Sequence, residues 1–367
     1  MQVTNREKVQ KKALEITLGH KRCGLGISMG VGKTRIALQH LIKNYDPTAK
    51  YLVVVPKNTV MDSWNDEMVK MKNIHLSSQI EFVNYRSIHK RNPNDYDIVY
   101  LDEGHNLLFS HEEFLKNYNG KILGLTGTPP KKGSEKYTMV KRYCPIVYEF
   151  SVDEATDSNI LNDYKIVIHK LQLSKLSTFA KKNKNGGKWY TSEVKDYQYL
   201  TGRCQQAMTA KQQQFAAIMR MRGLMEYNTK EQYLKGILKN ISSKCIVFAN
   251  TQKQADRVCK HSYHSGNKQS EENLELFSDG RINRLSCVLQ LSEGISIPDL
   301  RQGIIMHAYG NNRKTAQRIG RLLRLSPDQK AVCHILCYAN TIDEKWVNDA
   351  LKTFDPSKIE YFNPLNT

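Results

Sequence analysis

The chain has 367 residues, enough for two domains with cores of their own. Its 55 Lys and Arg against 36 Asp and Glu leave a formal charge of +19. Such a surplus points to a polyanionic partner, nucleic acid being the commonest, although a solvated Lys-rich surface would carry the same charge. No window approaches the run of about 18 apolar residues that a membrane helix needs, and the N-terminus has no apolar core of a signal peptide, so a cytoplasmic protein is expected.

In chain order, the first chemical signal is Gly30-Val31-Gly32-Lys33-Thr34, followed by apolar residues at helical spacing (Ile36, Ala37, Leu41) that predict a helix over 34–45. A strand is predicted at 52–55, a helix at 60–71, and further strands at 98–101, 122–126, 146–150 and 166–171. From 174 to 243 strand signal nearly vanishes: a basic, Gly-containing stretch (181–190) precedes helical spacing over 209–239. Strands resume at 245–249, 285–289, 303–307 and 331–337. Buried strands alternating with helices mean parallel sheets covered on both faces. The expected class is therefore α/β, with one domain over 1–150 and a second over 151–367 that includes the mostly helical segment 174–243. The eight cysteines form no C-x-x-C pair, and Cys333-His334 with Cys337 fits one more core strand better than a metal site.

Three constellations carry chemistry. Glycines such as Gly30 and Gly32 let backbone N–H groups approach phosphate oxygens, and the following helix presents its positive end to the same anion. Lys33 would neutralise phosphates and Thr34 would hold Mg²⁺ through its hydroxyl, although Ile27 stands where the usual pattern has its first Gly. Asp102 and Glu103 end an apolar run, at the edge where such sheets gather ligands. There Asp102 can hold Mg²⁺ and Glu103 can polarise an attacking water; alone, the pair also reads as an acidic turn. On a helix, Gln317, Arg321 and Arg324 share one face, a placement that suits a transferring phosphoryl group or simply a basic amphipathic helix.

Together these blocks resemble the superfamily 2 helicases of the DExH type. SMGVGKT (28–34) looks like motif I, DEGH (102–105) motif II, LTGTP (125–129) motif III and QRIGRLLR (317–324) motif VI. Weaker resemblances are VVVPKNTVMDSW (53–64) to motif Ia, CIVFANT (245–251) to motif IV and LSEGISIPDL (291–300) to motif V, where Ser296 replaces a frequent Asp. The resemblance implies two RecA-like domains with ATP and Mg²⁺ in the cleft between them. It assigns Gln10 to the adenine and Gly294 to the nucleotide, and makes Arg321 and Arg324 arginine fingers beside Gln317. It gives His105, Thr126 and Thr128 to coupling, and Pro56, Lys57, Asn58 and Thr251 to nucleic acid. Lys188 and Trp189 add charge and a stacking surface within the basic stretch.

Trp64, Glu67, FVNYRSI (82–88) and LTGTP look like DNA-directed branches, and the stretch 151–167 resembles the linker of phage UvsW-like helicases. The implied activity is an ATP-dependent DNA helicase or translocase acting on single-stranded, duplex or branched DNA. An ATPase clamp without strand separation, or an RNA helicase, stays open.

Overall fold

The computed structural model describes residues 3–182, 187–288, 297, 299–308, 330–352 and 354–364. These form two compact units, one from the described residues up to Asp163 and one from Tyr164 onward. Among the described residues no helix is long and apolar enough to cross a membrane.

The first unit opens with α1 (Asn5–Leu18), started by a capping box in which Thr4 and Glu7 satisfy each other's backbone N–H groups. Then come β1 (Arg22–Ile27), α2 (Lys33–Lys43), β2 (Tyr51–Val55), α3 (Thr59–Lys70), β3 (Ile80–Asn84), β4 (Ile98–Asp102), α4 (Glu112–Asn117), β5 (Lys121–Thr126), α5 (Glu135–Tyr143), β6 (Ile146–Phe150) and α6 (Val152–Asp157). The strands lie in the order β3-β2-β4-β5-β1-β6, every pair parallel. Alternation along β2 sends Tyr51, Val53 and Val55 into a core with Leu41, Trp64 and Met68, and Leu52 and Val54 into a second core with Phe114, Leu115 and Met139.

No apolar run announces β1, because Gly24 and Gly26 interrupt it, yet it lies between β5 and β6. A Cβ on Gly24 would stand 2.5 Å from the carbonyl oxygen of Cys144, so only glycine lets the chain entering β6 come this close. Sequence composition suggests a boundary near residue 150, but Ala155, Ile160 and Leu161 are buried in the first core, so the unit continues through α6 to Asp163.

The second unit has β7 (Tyr164–Leu171), β8 (Phe179–Lys182), β9 (Lys188–Thr191), α7 (Glu193–Gln205), α8 (Ala210–Glu226), α9 (Thr229–Asn240), β10 (Cys245–Ala249), α10 (Gln252–Val258), β11 (Ser262–Tyr263), α11 (Ser270–Ser278), β12 (Arg284–Val288), β13 (Gln302–Ile305), β14 (Ala331–Tyr338), a helix at Ile342–Leu351 and β15 (Ile359–Phe362). Its main sheet runs β11-β12-β10-β13-β14-β7-β15, again all parallel. The segment expected to be mostly helical also holds the antiparallel pair β8–β9. Its short strands carry no apolar run because Lys188, Trp189 and Tyr190 are exposed.

Two polar assemblies brace this unit. The fully buried Lys230 ammonium bonds to Asp343 Oδ2 at 2.6 Å and to the Met306 carbonyl at 2.8 Å. It ties α9 to the end of β13 and to the helix Ile342–Leu351. His169 and His334, on neighbouring strands, bond to each other at 2.9 Å, with Tyr233 and Gln302 at the two ends of the chain. Burial pushes both imidazoles down, each to about 4.

Candidate active site

The site lies at the C-terminal edge of the first sheet, where parallel α/β folds gather ligands. The loop after β1 turns through Gly30 (φ 88°) and Gly32 (φ 101°), both in the left-handed region that favours glycine. Gly32 caps α2 without a side-chain hydrogen bond, so the first N–H groups of that helix face the loop rather than a capping side chain. Gln10 of α1 is buried, and its Nε2 donates to the Val31 carbonyl at 2.7 Å. A Cβ on Gly32 would stand 2.5 Å from that nitrogen, so Gln10 braces the loop from behind. Lys33 donates to the Ile27 carbonyl at 3.2 Å, and its ammonium bears electrostatically on both Asp102 and Glu103. Thr34 follows in the first turn of α2, half-buried, and Arg35 reaches Glu67 of α3 at 3.0 Å.

Asp102 ends β4 and is buried. Trp64 Nε1–H donates to its Oδ2 at 2.8 Å and the Glu103 N–H to its Oδ1 at 2.9 Å. Burial first, then the charge of Glu103, push the Asp102 carboxyl above the usual carboxylate range. Glu103 sits in the left-handed region (φ 50°), which turns the chain sharply after the strand. Burial alone would raise its carboxyl, but His105, Lys33 and the Gly127 N–H outweigh it and hold Glu103 ionised below the usual range. His105 Nδ1 lies 3.3 Å from Glu103 Oε2 and 2.8 Å from Thr126 Oγ1. The carboxylate favours the tautomer with its proton on Nδ1, so one N–H faces two acceptors. Thr126 in turn accepts the Thr128 N–H at 3.1 Å.

Among the described residues, Ser28 Oγ and Thr128 Oγ1 are buried around this loop with no hydrogen-bond partner. Buried polar atoms are rarely left unsatisfied, so these two mark where a polar ligand or water belongs. A glycine cradle, an uncapped helix start, a cation and two carboxylates at a strand end fit a nucleotide phosphate with a hard divalent ion.

The first unit therefore brings together Gln10, Gly30, Gly32, Lys33, Thr34, Asp102, Glu103, His105, Thr126 and Thr128. Pro56, Lys57 and Asn58 follow β2 at the same edge, where Asn58 accepts a bond from Asn84 at 2.6 Å. In the second unit, Thr251 follows β10 and its hydroxyl caps α10 by accepting the Gln254 N–H at 3.1 Å. Lys188 and Trp189 sit exposed on β9. Gly294, Gln317, Arg321 and Arg324 lie outside the described residues. Trp64 and Ser28 are the site residues whose positions spacing does not reveal. A tryptophan in the middle of a helix reads as core until its N–H is seen to end on Asp102.

Residues 4–131 match the family described as type III restriction enzyme, res subunit, and residues 229–326 match the helicase conserved C-terminal domain. Over an alignment of 362 residues the chain is 25% identical to a Sulfurisphaera tokodaii protein described as DNA 3'-5' translocase XPB2, covering 89% of this chain and 80% of that one. Among solved structures, the DNA-bound ATP-dependent type ISP restriction-modification enzyme LlaBIII superposes with a TM-score of 0.64 at 16% identity, over 98% of this chain and 31% of that chain. The Hef helicase domain of Pyrococcus furiosus gives 0.53 at 13% identity, over 96% of this chain and 100% of that one. At such identities the structural likeness carries the fold: two parallel-sheet α/β domains of the RecA-like kind. The two family matches, in this order along one chain, make the protein a member of helicase superfamily 2 and an ATP-hydrolysing enzyme.

Proposed function

We propose that this chain is an ATP-dependent DNA helicase or translocase that remodels branched DNA in the cytoplasm. The observation that carries the reading is the cluster of Lys33, Asp102, Glu103, His105 and Thr126 at one sheet edge, around buried polar atoms that lack partners. The glycine loop and Lys33 would bind the phosphates of ATP, and Thr34 with Asp102 would hold Mg²⁺, which when bound supplies positive charge beside them. Glu103, held ionised, would orient the attacking water. Its neighbour His105 shares one N–H between Glu103 and Thr126, so a change at the phosphate end is passed to the Thr126–Thr128 turn. By resemblance, Gln10 and Gly294 serve the nucleotide, and Gln317, Arg321 and Arg324 supply the remaining charge.

DNA as the track is supported by the basic charge and by the relative described as a DNA translocase. Pro56, Lys57, Asn58, Thr251, Lys188 and Trp189 are the proposed contacts. The stretch 151–167 supports a place beside phage UvsW-like enzymes. The test is ATPase activity with single-stranded, duplex, forked and four-way DNA, each beside matched RNA. Stimulation by DNA, strongest on branched forms and falling with salt, is expected. Equal stimulation by RNA, or none by DNA, would overturn the reading.

A further inference from the structure

The motor reading leaves one feature of the second unit unused. Helices α7 and α8 pack side by side as an arm. At its root the packing is close: a Cβ on Gly223 would stand 2.7 Å from Leu200 Cδ1, so glycine is what lets the helices meet there. The root is fastened by buried acids that bond inward. Asp196 takes Lys181 and the Tyr227 hydroxyl, the latter at 3.0 Å, and Glu193 takes the Thr229 N–H at 3.0 Å and hydroxyl at 2.7 Å. Tyr197 accepts the Ile342 N–H at 2.8 Å, which anchors the root to the body of the unit.

Beyond the root, the arm projects. From Gln205 to Phe215 every side chain is exposed except the half-buried Ala207. The turn at the tip is built rather than loose: Gln212 Oε1 accepts the Met208 N–H at 3.0 Å and the Thr209 N–H at 3.2 Å, and Thr209 Oγ1 accepts the Gln212 N–H at 3.2 Å. That turn holds Met208 in solvent at 95% exposure, with Tyr199 and Phe215 each 60% exposed on the two helices behind it. Isolated exposed apolar residues are ordinary. A rigid projection that carries three of them is a different arrangement.

Charge selects the occupant. Between Asp196 and Glu226 there is no acidic residue, while Arg203, Lys211, Arg220 and Arg222 all fall in that stretch. Glutamines at 198, 205, 206, 212, 213 and 214 add donors and acceptors. Basic side chains, exposed rings and amides on a fixed projection suit nucleic acid, whose base steps are opened by apolar wedges such as Met and Phe and whose freed bases stack on aromatic rings. We propose that the α7–α8 arm is the strand-separating wedge of this enzyme, with Met208 set against the terminal base pair of a fork and Tyr199 and Phe215 as stacking faces for the parted bases. The proposal rests on the DNA-motor reading above and adds the element that turns translocation into unwinding.

The test is the number of strands displaced per ATP hydrolysed on a forked duplex, for the wild type and for Tyr199→Ala/Met208→Ala/Phe215→Ala. The three side chains are exposed, so the thermal midpoint should hold, and Met208→Ala alone gives a milder version of the same change. The expected result is a ratio reduced about tenfold or more, in line with the loss of stacking on one or two bases. An unchanged ratio overturns the wedge. ATPase that ignores DNA in the wild type overturns the motor reading itself. Stimulated ATPase with no displaced strand in the wild type overturns the wedge and leaves a translocase. A dimer in sedimentation that Met208→Asp dissociates would make the face a self-association surface and also overturn the wedge.

Discussion

Trp64→Phe separates the chemistry of the site from its packing. The indole is fully buried, and its N–H is the side-chain donor to Asp102 Oδ2, at 2.8 Å. Phenylalanine keeps an aromatic ring against Phe82 and Tyr100, whose centroids lie 6.3 and 6.1 Å away, and removes the donor. Burial and the charge of Glu103 already push Asp102 up, and the indole bond is one of the forces pulling it down. A hydrogen bond to a charged group contributes about 1.5–3 kcal/mol, so its loss should raise the Asp102 pKa by about 1–2 units. Only the carboxylate can hold a divalent ion, so the acid limb of the reaction should move to higher pH by that amount. The assay is kcat/KM for ATP with Mg²⁺, at saturating DNA, from about pH 5 to about pH 9, where the limb reports the free enzyme. Activity at the alkaline end should return to within a few-fold of wild type. A uniform loss at every pH, with the limb unmoved, would refute the reasoning and make Trp64 a packing residue only.

Other expectations follow from the same structure. Glu103→Gln should keep ATP binding and slow turnover about 10²–10⁴-fold, which single-turnover hydrolysis measures; normal turnover would place the base elsewhere. Lys230→Met leaves Asp343 charged in a buried site and should destabilise the second unit by about 3–5 kcal/mol in urea unfolding, with the Lys230→Met/Asp343→Asn double variant recovering much of the loss. His169 and His334 stay neutral in the fold down to about pH 4. The unfolded chain therefore takes up protons that the folded one does not between about pH 6.5 and that point. Stability should fall across this window by roughly 3 kcal/mol at most for each imidazole, and their contribution should be flat above it. Hydrogen exchange in β7 and β14 would read the fall, which His169→Asn/His334→Gln should flatten.

Much of the fold was legible wherever burial on both faces makes a strand wholly apolar. The runs in β2, β4, β5 and β10 announce themselves in this way. β1 does not, because the close approach that makes it central demands glycine at position 24, and glycine erases the apolar signal. β8 and β9 stay hidden for another reason: Lys181, Lys182 and Lys188 break any apolar run and leave no pattern that distinguishes a hairpin from a polar loop. In the site, Lys33, Asp102 and Glu103 are visible because chemistry fixes both residue type and position, at a helix start and a strand end. Trp64, Ser28 and the bracing role of Gln10 depend on which side chains meet across elements, and linear spacing does not encode those meetings. The wedge candidate shows the same limit. Glutamine-rich basic helices read as solvated until the exposure of Met208 and Phe215 is known.

The central claim, that hydrolysis at Lys33, Asp102 and Glu103 drives movement along DNA, is tested most directly by displacement of a triplex-forming strand from duplex DNA. The account predicts that wild-type enzyme with ATP clears the third strand, and that Glu103→Gln, though it binds ATP and DNA, does not. Failure of the wild type to clear it despite DNA-stimulated hydrolysis, or clearance by Glu103→Gln at the wild-type rate, would contradict the account.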